Sequence, residues 1–239
     1  MIKPGLSVHY ALRKQYIEKC VRDRLDQGIY AQVVVLGCGF DTLALRIHHR
    51  YPHVRFFEID HQALIERKQS VIDKLEGHHH NVSLVKLDPS GSISSTLNNA
   101  PDFDIVASTL FVIEGVLMYL RHEEVAALFH ELGSVGGDVG TIFTFLQPIG
   151  AYAGEDRPLA EKMADVWLAQ KGEPYRWSVT PAELHTLCQE VGLALHDIVC
   201  PRDRQSEVGL RLPRHRGAII PRDEYVADGT FVPKPRPQG

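Results

Sequence analysis

The sequence predicts an α/β fold: a mostly parallel seven-stranded sheet with helices on both faces and a small lid. Three observations carry this expectation. Short apolar runs alternate with stretches of helical periodicity over residues 10–146. The first such run, QVVVL, is β-branched and continuous, as a strand covered on both faces must be. It then passes directly into a glycine turn, GCG, that opens the next helical stretch. Alternation of this kind calls for parallel strands joined by right-handed crossovers.

In chain order, Tyr10–Gly28 carries Leu12, Tyr16, Ile17, Cys20, Val21 and Leu25 on one helical stripe, closed by Gly28. Ala31–Leu36 is the first strand. Thr42–Arg50 is expected to be helical, Val54–Ile59 extended, His61–Leu75 helical, Val82–Leu87 extended and Ser90–Asn98 a short helix. Phe103–Thr109 is expected as the fourth strand, Glu123–Leu132 as a helix and Gly140–Leu146 as the fifth strand after the turn-rich GSVGGDVG. The chain changes character from Gly150 to Tyr175, and residues 150–178 are read as the lid. Thr180–Val191 has the marks of a capped helix: Thr180 as N-cap, Pro181 in the first position, Glu183 three residues after the cap and Gly192 at the end. Leu193–Cys200 is the next strand, and Tyr225–Val232 a final edge strand.

The chain has 239 residues, 44% hydrophobic and 23% charged, which suits one soluble domain over 1–239, with 1–30 as an N-terminal helical segment. A net charge of -4 gives no general attraction to phosphate backbones or anionic membranes, so neither nucleic acid nor a membrane is expected as a partner. Cys20, Cys38, Cys188 and Cys200 have no CxxC spacing, which points away from a zinc site or a disulfide framework and towards a cytoplasmic protein. The triple His78, His79 and His80 lacks acidic or cysteine partners at ligand spacing and reads as a solvated turn. No metal is expected.

Chemistry concentrates at the expected strand ends. Gly37, Gly39 and Asp41 form GxGxD, where glycines let backbone approach a ligand closely and a helix start offers free N–H groups. The second strand ends in FFEID, and Glu58 or Asp60 there could accept hydrogen bonds from ribose hydroxyls. The third ends at Asp88, placed to accept from an adenine amino group. In STLFVIEGVLMYL, Glu114 is a carboxylate in an apolar stretch that needs a partner, either a ligand ammonium or a structural arginine.

The stretches QVVVLGCGFDT, FFEIDHQALIERK, STLFVIEGVLMYL and GEPYRWSVTPAEL together resemble the leucine carboxyl methyltransferase family, which also contains bacterial polyketide carboxyl methyltransferases. The resemblance implies the Rossmann-like class I methyltransferase fold and S-adenosylmethionine as cofactor. It implies that Gly37 and Gly39 border the methionine part and that Glu58 or Asp60 holds the ribose. Asp88 and Pro89 would lie near adenine, Glu114 close to the cofactor, and Arg13 on the cofactor carboxylate, a contact that suits a guanidinium fork. Pro89 replaces the family's usual Leu, and Leu43 stands where many members have Arg after DT, with Arg46 nearby.

The expected reaction is methylation of a carboxylate, on a small molecule or a protein C-terminus. A carboxylate is already ionised and needs no base. For a phenol or alcohol acceptor, His122 or Tyr119 is the candidate base. Two other classes remain: a nicotinamide-dependent oxidoreductase, which would favour a complete GxGxxG turn, and a non-catalytic binding module on the same sheet.

Overall fold

The computed structural model describes residues 4–75, 79–89, 91–148, 174–208 and 223–232, with side chains from residue 8 onward. The strands are β1 (Gln32–Leu36), β2 (Arg55–Asp60), β3 (Val82–Lys86), β4 (Thr109–Ile113), β5 (Val139–Leu146), β6 (Leu193–Val199) and β7 (Glu224–Phe231). The helices are α1 (Pro4–Asp26), α2 (Leu43–Ile47), α3 (Gln62–Ile72), α4 (Ile93–Asn98), α5 (His122–Leu132) and α6 (Pro181–Glu190). One seven-stranded sheet runs in the order β3-β2-β1-β4-β5-β7-β6. The pairs from β3 through β5 are parallel, and β7 is antiparallel to both of its neighbours.

The continuous apolar character of β1 follows from its burial on both faces. Val33 and Val35 pack with Tyr16, Ile17 and Val21 of α1, whereas Val34 and Leu36 pack with Phe129 and Leu132 of α5. Alternation of side chains across the pleat divides the strand between two cores. The predicted stripe of α1 is the face that docks: Leu12, Tyr16, Ile17, Val21 and Leu25 are all buried. Burial of each such side chain stabilises the fold by about 1.5–3 kcal/mol.

Three expectations need correction. The fourth strand is Thr109–Ile113, not Phe103–Thr109. Ile105 and Val106 imitate a strand but lie exposed in the turn Asp104–Ala107, closed by the Ala107 N–H on the Asp104 carbonyl and clasped by Gln32, whose side chain bonds both the N–H and the C=O of Asp104. The final strand is not at an edge, because β7 inserts between β5 and β6 and pairs on both sides. Strand order is set by long-range pairing, which local patterning does not encode. The first helix also begins at Pro4, earlier than the apolar stripe suggests. The expected lid falls mostly on residues 149–173, outside the described residues.

The cap of α6 is as expected. Thr180 Oγ1 accepts from the Glu183 N–H at 3.3 Å, and Glu183 Oε2 accepts from the Thr180 N–H at 2.8 Å. Thr180→Ala removes one half of this reciprocal pair. It is expected to cost about 1 kcal/mol and to lower Tm by about 3 °C in a thermal melt.

Candidate functional site at the carboxyl ends of the strands

The chain runs outward from β1 in two directions, to β2 and β3 on one side and to β4 and β5 on the other. Such a switch point leaves a crevice beyond the carboxyl ends of the strands. The register shows which residues meet there. Leu36 lies level with Ile59 and Ile113, so the next residue of each strand, Gly37, Asp60 and Glu114, forms a row across the end of the sheet. Asp88 follows the end of β3 two residues beyond Lys86.

The glycine turn is built for close approach. Gly37 and Gly39 both have positive φ, 63° and 46°, a region that L side chains rarely adopt. A Cβ on Gly37 would stand 2.4 Å from Val116 Cγ2, whereas a Cβ on Gly39 would meet nothing within 4 Å. Gly37 is therefore small for packing, and Gly39 borders open space. Asp60 braces the turn: Oδ2 accepts from the Gly39 N–H at 2.7 Å and Oδ1 from the His61 N–H at 2.7 Å. Asp41 closes it, with Oδ1 accepting from the N–H groups of Thr42 and Leu43 at the start of α2. Burial pushes the Asp41 carboxyl up, but Lys14 and these N–H groups hold it below the ordinary aspartate value.

Glu58 and Asp60 separate clearly. Glu58 is 0% exposed and stands 2.8 Å from Lys68 Nζ of α3, itself buried. Asp60, 8% exposed, is the carboxylate that reaches the glycine turn. Burial holds the Glu58 carboxyl above its ordinary value, against the pull of Lys68.

On the other side of the crevice, α1 brings a row of charges to the segment after β4. Arg13 Nε donates to Glu114 Oε1 at 2.8 Å, and Lys14 Nζ lies 3.2 Å from Glu114 Oε2 and 3.3 Å from Asp41 Oδ2. The partner that Glu114 requires is thus present within the chain. Arg13 Nη1 also donates to both oxygens of Glu224 on β7, at 2.7 and 2.8 Å, and His9 Nε2 lies 2.6 Å from Glu224 Oε2. Burial pushes the Glu224 carboxyl up, but His9 and Arg13 hold it below the ordinary glutamate value. Burial opposes the Arg13 charge, but Glu224 and Glu114 raise its pKa.

Asp88 accepts from Ser95 Oγ at 3.2 Å, and its N–H donates to Thr96 Oγ1 at 2.9 Å, which ties the end of β3 to α4. Pro89 is exposed beside it. Tyr119 is half-buried in a 3₁₀ turn (Leu117–Tyr119) that leads from Glu114 towards α5, and its ring faces that of Tyr175 at 5.7 Å. His122 is the exposed first residue of α5, and its Nδ1 accepts from the indole N–H of buried Trp177 at 3.3 Å. Arg176 and Trp177 are held in turn by the carbonyl of Met118.

His9, Lys14, Lys68 and Glu224 were not identified from sequence. The spacing of His9 and Arg13 places them on one helix face, but their shared acid lies more than 200 residues away. One exclusion also changes in detail: His79 is not wholly solvated, since its Nδ1 lies 3.1 Å from Nε2 of buried His48.

The leucine carboxyl methyltransferase family profile matches residues 2–133, more than half of the chain. YktD of Bacillus subtilis (strain 168) is 27% identical over 80% of this chain and 62% of that protein. Leucine carboxyl methyltransferase 1 of Caenorhabditis elegans is 31% identical over 55% of this chain and 47% of that protein. The chain spans about half the length of the curated relatives it matches. Among solved structures, magnesium protoporphyrin IX methyltransferase of Synechocystis PCC 6803 with bound SAH has a TM-score of 0.57 at 10% identity, covering 94% of this chain and 85% of that one. Human N-acetylserotonin methyltransferase in complex with SAM has a TM-score of 0.52 at 14% identity, covering 86% and 49%. These two share the fold.

Proposed function

Since this chain belongs to the leucine carboxyl methyltransferase family and has the class I methyltransferase fold, we propose that it is an S-adenosylmethionine-dependent O-methyltransferase acting on a carboxylate, either of a small polyketide-type acid or of a protein C-terminus. The observation that carries the reading is the row of Gly37, Asp60 and Glu114 at the switch point, with open space beside Gly39. Those residues fit the cofactor. A glycine with room for a ligand, a carboxylate at the end of β2 and an uncommitted Arg13 Nη2 suit the methionine part of the cofactor, its ribose and its amino-acid carboxylate.

The cofactor would supply a methyl group on a sulfonium centre. The work left to this chain is to bind, orient and exclude water. Gly39 admits the methionine part of the ligand next to backbone, with Gly37 packed on Val116 beside it, Asp60 presents carboxylate lone pairs to ribose hydroxyls, and Asp88 with Pro89 borders the adenine side. Arg13 offers its guanidinium to the cofactor carboxylate, and Glu114, held by Arg13 and Lys14, presents negative charge where an ammonium group would lie. A carboxylate acceptor is ionised at neutral pH, so no side chain has to remove a proton. A phenol or alcohol acceptor is the second reading. The tilted ring contact of Tyr119 with Tyr175, just before exposed His122 in the chain, favours it as a surface for an aromatic acceptor, and His122 or Tyr119 would then take the proton.

Titration calorimetry separates the classes. S-adenosylmethionine and S-adenosylhomocysteine are expected to bind and NAD to give no heat. Tight NAD binding without response to either sulfur compound would overturn the assignment. Glu114→Ala is expected to weaken S-adenosylhomocysteine by about tenfold or more, the scale of one lost charge-assisted contact. Transfer of labelled methyl to candidate acids, released as methanol by mild alkali, distinguishes a carboxyl ester from an alkali-stable ether.

A further inference from the structure

We propose that Glu224, with His9 behind it, is a positioning residue that orients Arg13 for the amino-acid end of the cofactor. The proposal rests on the cofactor assignment above and extends it to two residues that no motif of the sequence marks. Glu224 opens β7, and its register partner is Leu146 at the carboxyl end of β5. That pairing brings a carboxylate from the far end of the chain to the same edge of the sheet as Glu114. Both Glu224 oxygens take Arg13 Nη1, and Oε2 also accepts from His9. A carboxylate only accepts, so His9 Nε2 carries the proton in this contact. Glu224 is 4% exposed, His9 4% and Arg13 9%.

The consequence for Arg13 is geometric. Nε is committed to Glu114 and Nη1 to Glu224, while the Tyr10 ring covers one face with its centroid 4.9 Å from Cζ. Among the described residues no acceptor meets Nη2. That nitrogen lies 3.8 Å from where a Cβ on Gly115 would stand, beside the crevice-lining segment after β4. Three walls therefore fix the plane of the guanidinium and leave Nη2 uncommitted beside that segment. A guanidinium held in this way can offer the N–H groups of Nη2 to a carboxylate with little further loss of side-chain freedom.

The test uses two ligands that differ in the amino-acid end alone. S-adenosylhomocysteine carries it; 5′-methylthioadenosine has the same nucleoside and sulfur without it. Calorimetry on Glu224→Gln is expected to show S-adenosylhomocysteine weakened by about tenfold and 5′-methylthioadenosine unchanged within twofold. His9→Phe leaves the Arg13–Glu224 pair in place and is expected to shift the same ligand selectively by a smaller factor; it serves as the reporter if Glu224→Gln does not fold. Equal weakening of both ligands would reduce Glu224 to a structural role, and unchanged or tighter S-adenosylhomocysteine binding would equally overturn the proposal. If wild-type protein binds neither ligand, the cofactor assignment itself fails, a result distinct from either.

Discussion

Gly39→Ala is expected to leave the protein folded and to weaken S-adenosylhomocysteine binding by about a hundredfold, whereas Gly37→Ala is expected to destabilise the fold itself. The two glycines are one residue apart and both have positive φ, so each alanine incurs the left-handed backbone cost of about 1–2 kcal/mol. They differ in what surrounds the new methyl group. At Gly37 it would collide with Val116 Cγ2 at 2.4 Å, on a short branched side chain that has no flexible end to move. Overpacking of that kind adds about 1–3 kcal/mol, so the total is about 3 kcal/mol and the fall in Tm about 10 °C. At Gly39 the methyl meets no protein atom within 4 Å and enters the open space where the proposed cofactor would lie. Tm should drop by about 3 °C, while affinity falls by about a hundredfold, equivalent to about 2.7 kcal/mol of binding free energy. A Gly39→Ala protein that binds S-adenosylhomocysteine like wild type would mean the pocket lies elsewhere.

The second large effect belongs to the buried pair beneath the turn. Lys68→Met is expected to cost about 3–5 kcal/mol, because it leaves Glu58, 0% exposed, as an uncompensated charge. The double variant Glu58→Leu/Lys68→Met should recover most of that loss. Removing both ions avoids desolvating either, and neither Glu58 oxygen nor Lys68 Nζ makes a well-aligned hydrogen bond that would be forfeited. The pH dependence has a definite sign. The Glu58 carboxyl is raised in the folded state by burial, so its neutral form is favoured there. Stability linked to this group is present at low pH and is lost as pH rises through the folded value. Without Lys68 the shift is larger. The Lys68→Met deficit should therefore be greater at pH 8 than at pH 4 in parallel denaturant titrations. A deficit under about 1 kcal/mol at pH 8 would show that Glu58 has access to water.

Much of the sheet was legible because its signals are local. A short, continuous β-branched run such as QVVVL reads as a strand covered on both faces, and a turn with glycines at two alternate positions marks where backbone is free to adopt positive φ. The capping box of α6 was legible for the same reason, since its donor and acceptor lie three residues apart. Ile105 and Val106 misplaced the fourth strand because an apolar triplet has the same composition in a turn as in a strand. The clasp from Gln32 that makes it a turn comes from another element.

What the sequence by itself determined was the alternation of strands and helices, the glycine turn and the acidic residues at successive strand ends, all of which depend on neighbours within a few residues. Tertiary structure alone decided that β7 lies inside the sheet, that Asp60 reaches the turn while Glu58 is buried on Lys68, and that Arg13 is shared by Glu114 and Glu224. The physical reason is range. Burial and charge pairing depend on which surfaces meet after the chain has closed, and Arg13 and Glu224 meet because β7 returns antiparallel beside β5, bringing its first residue level with the end of that strand.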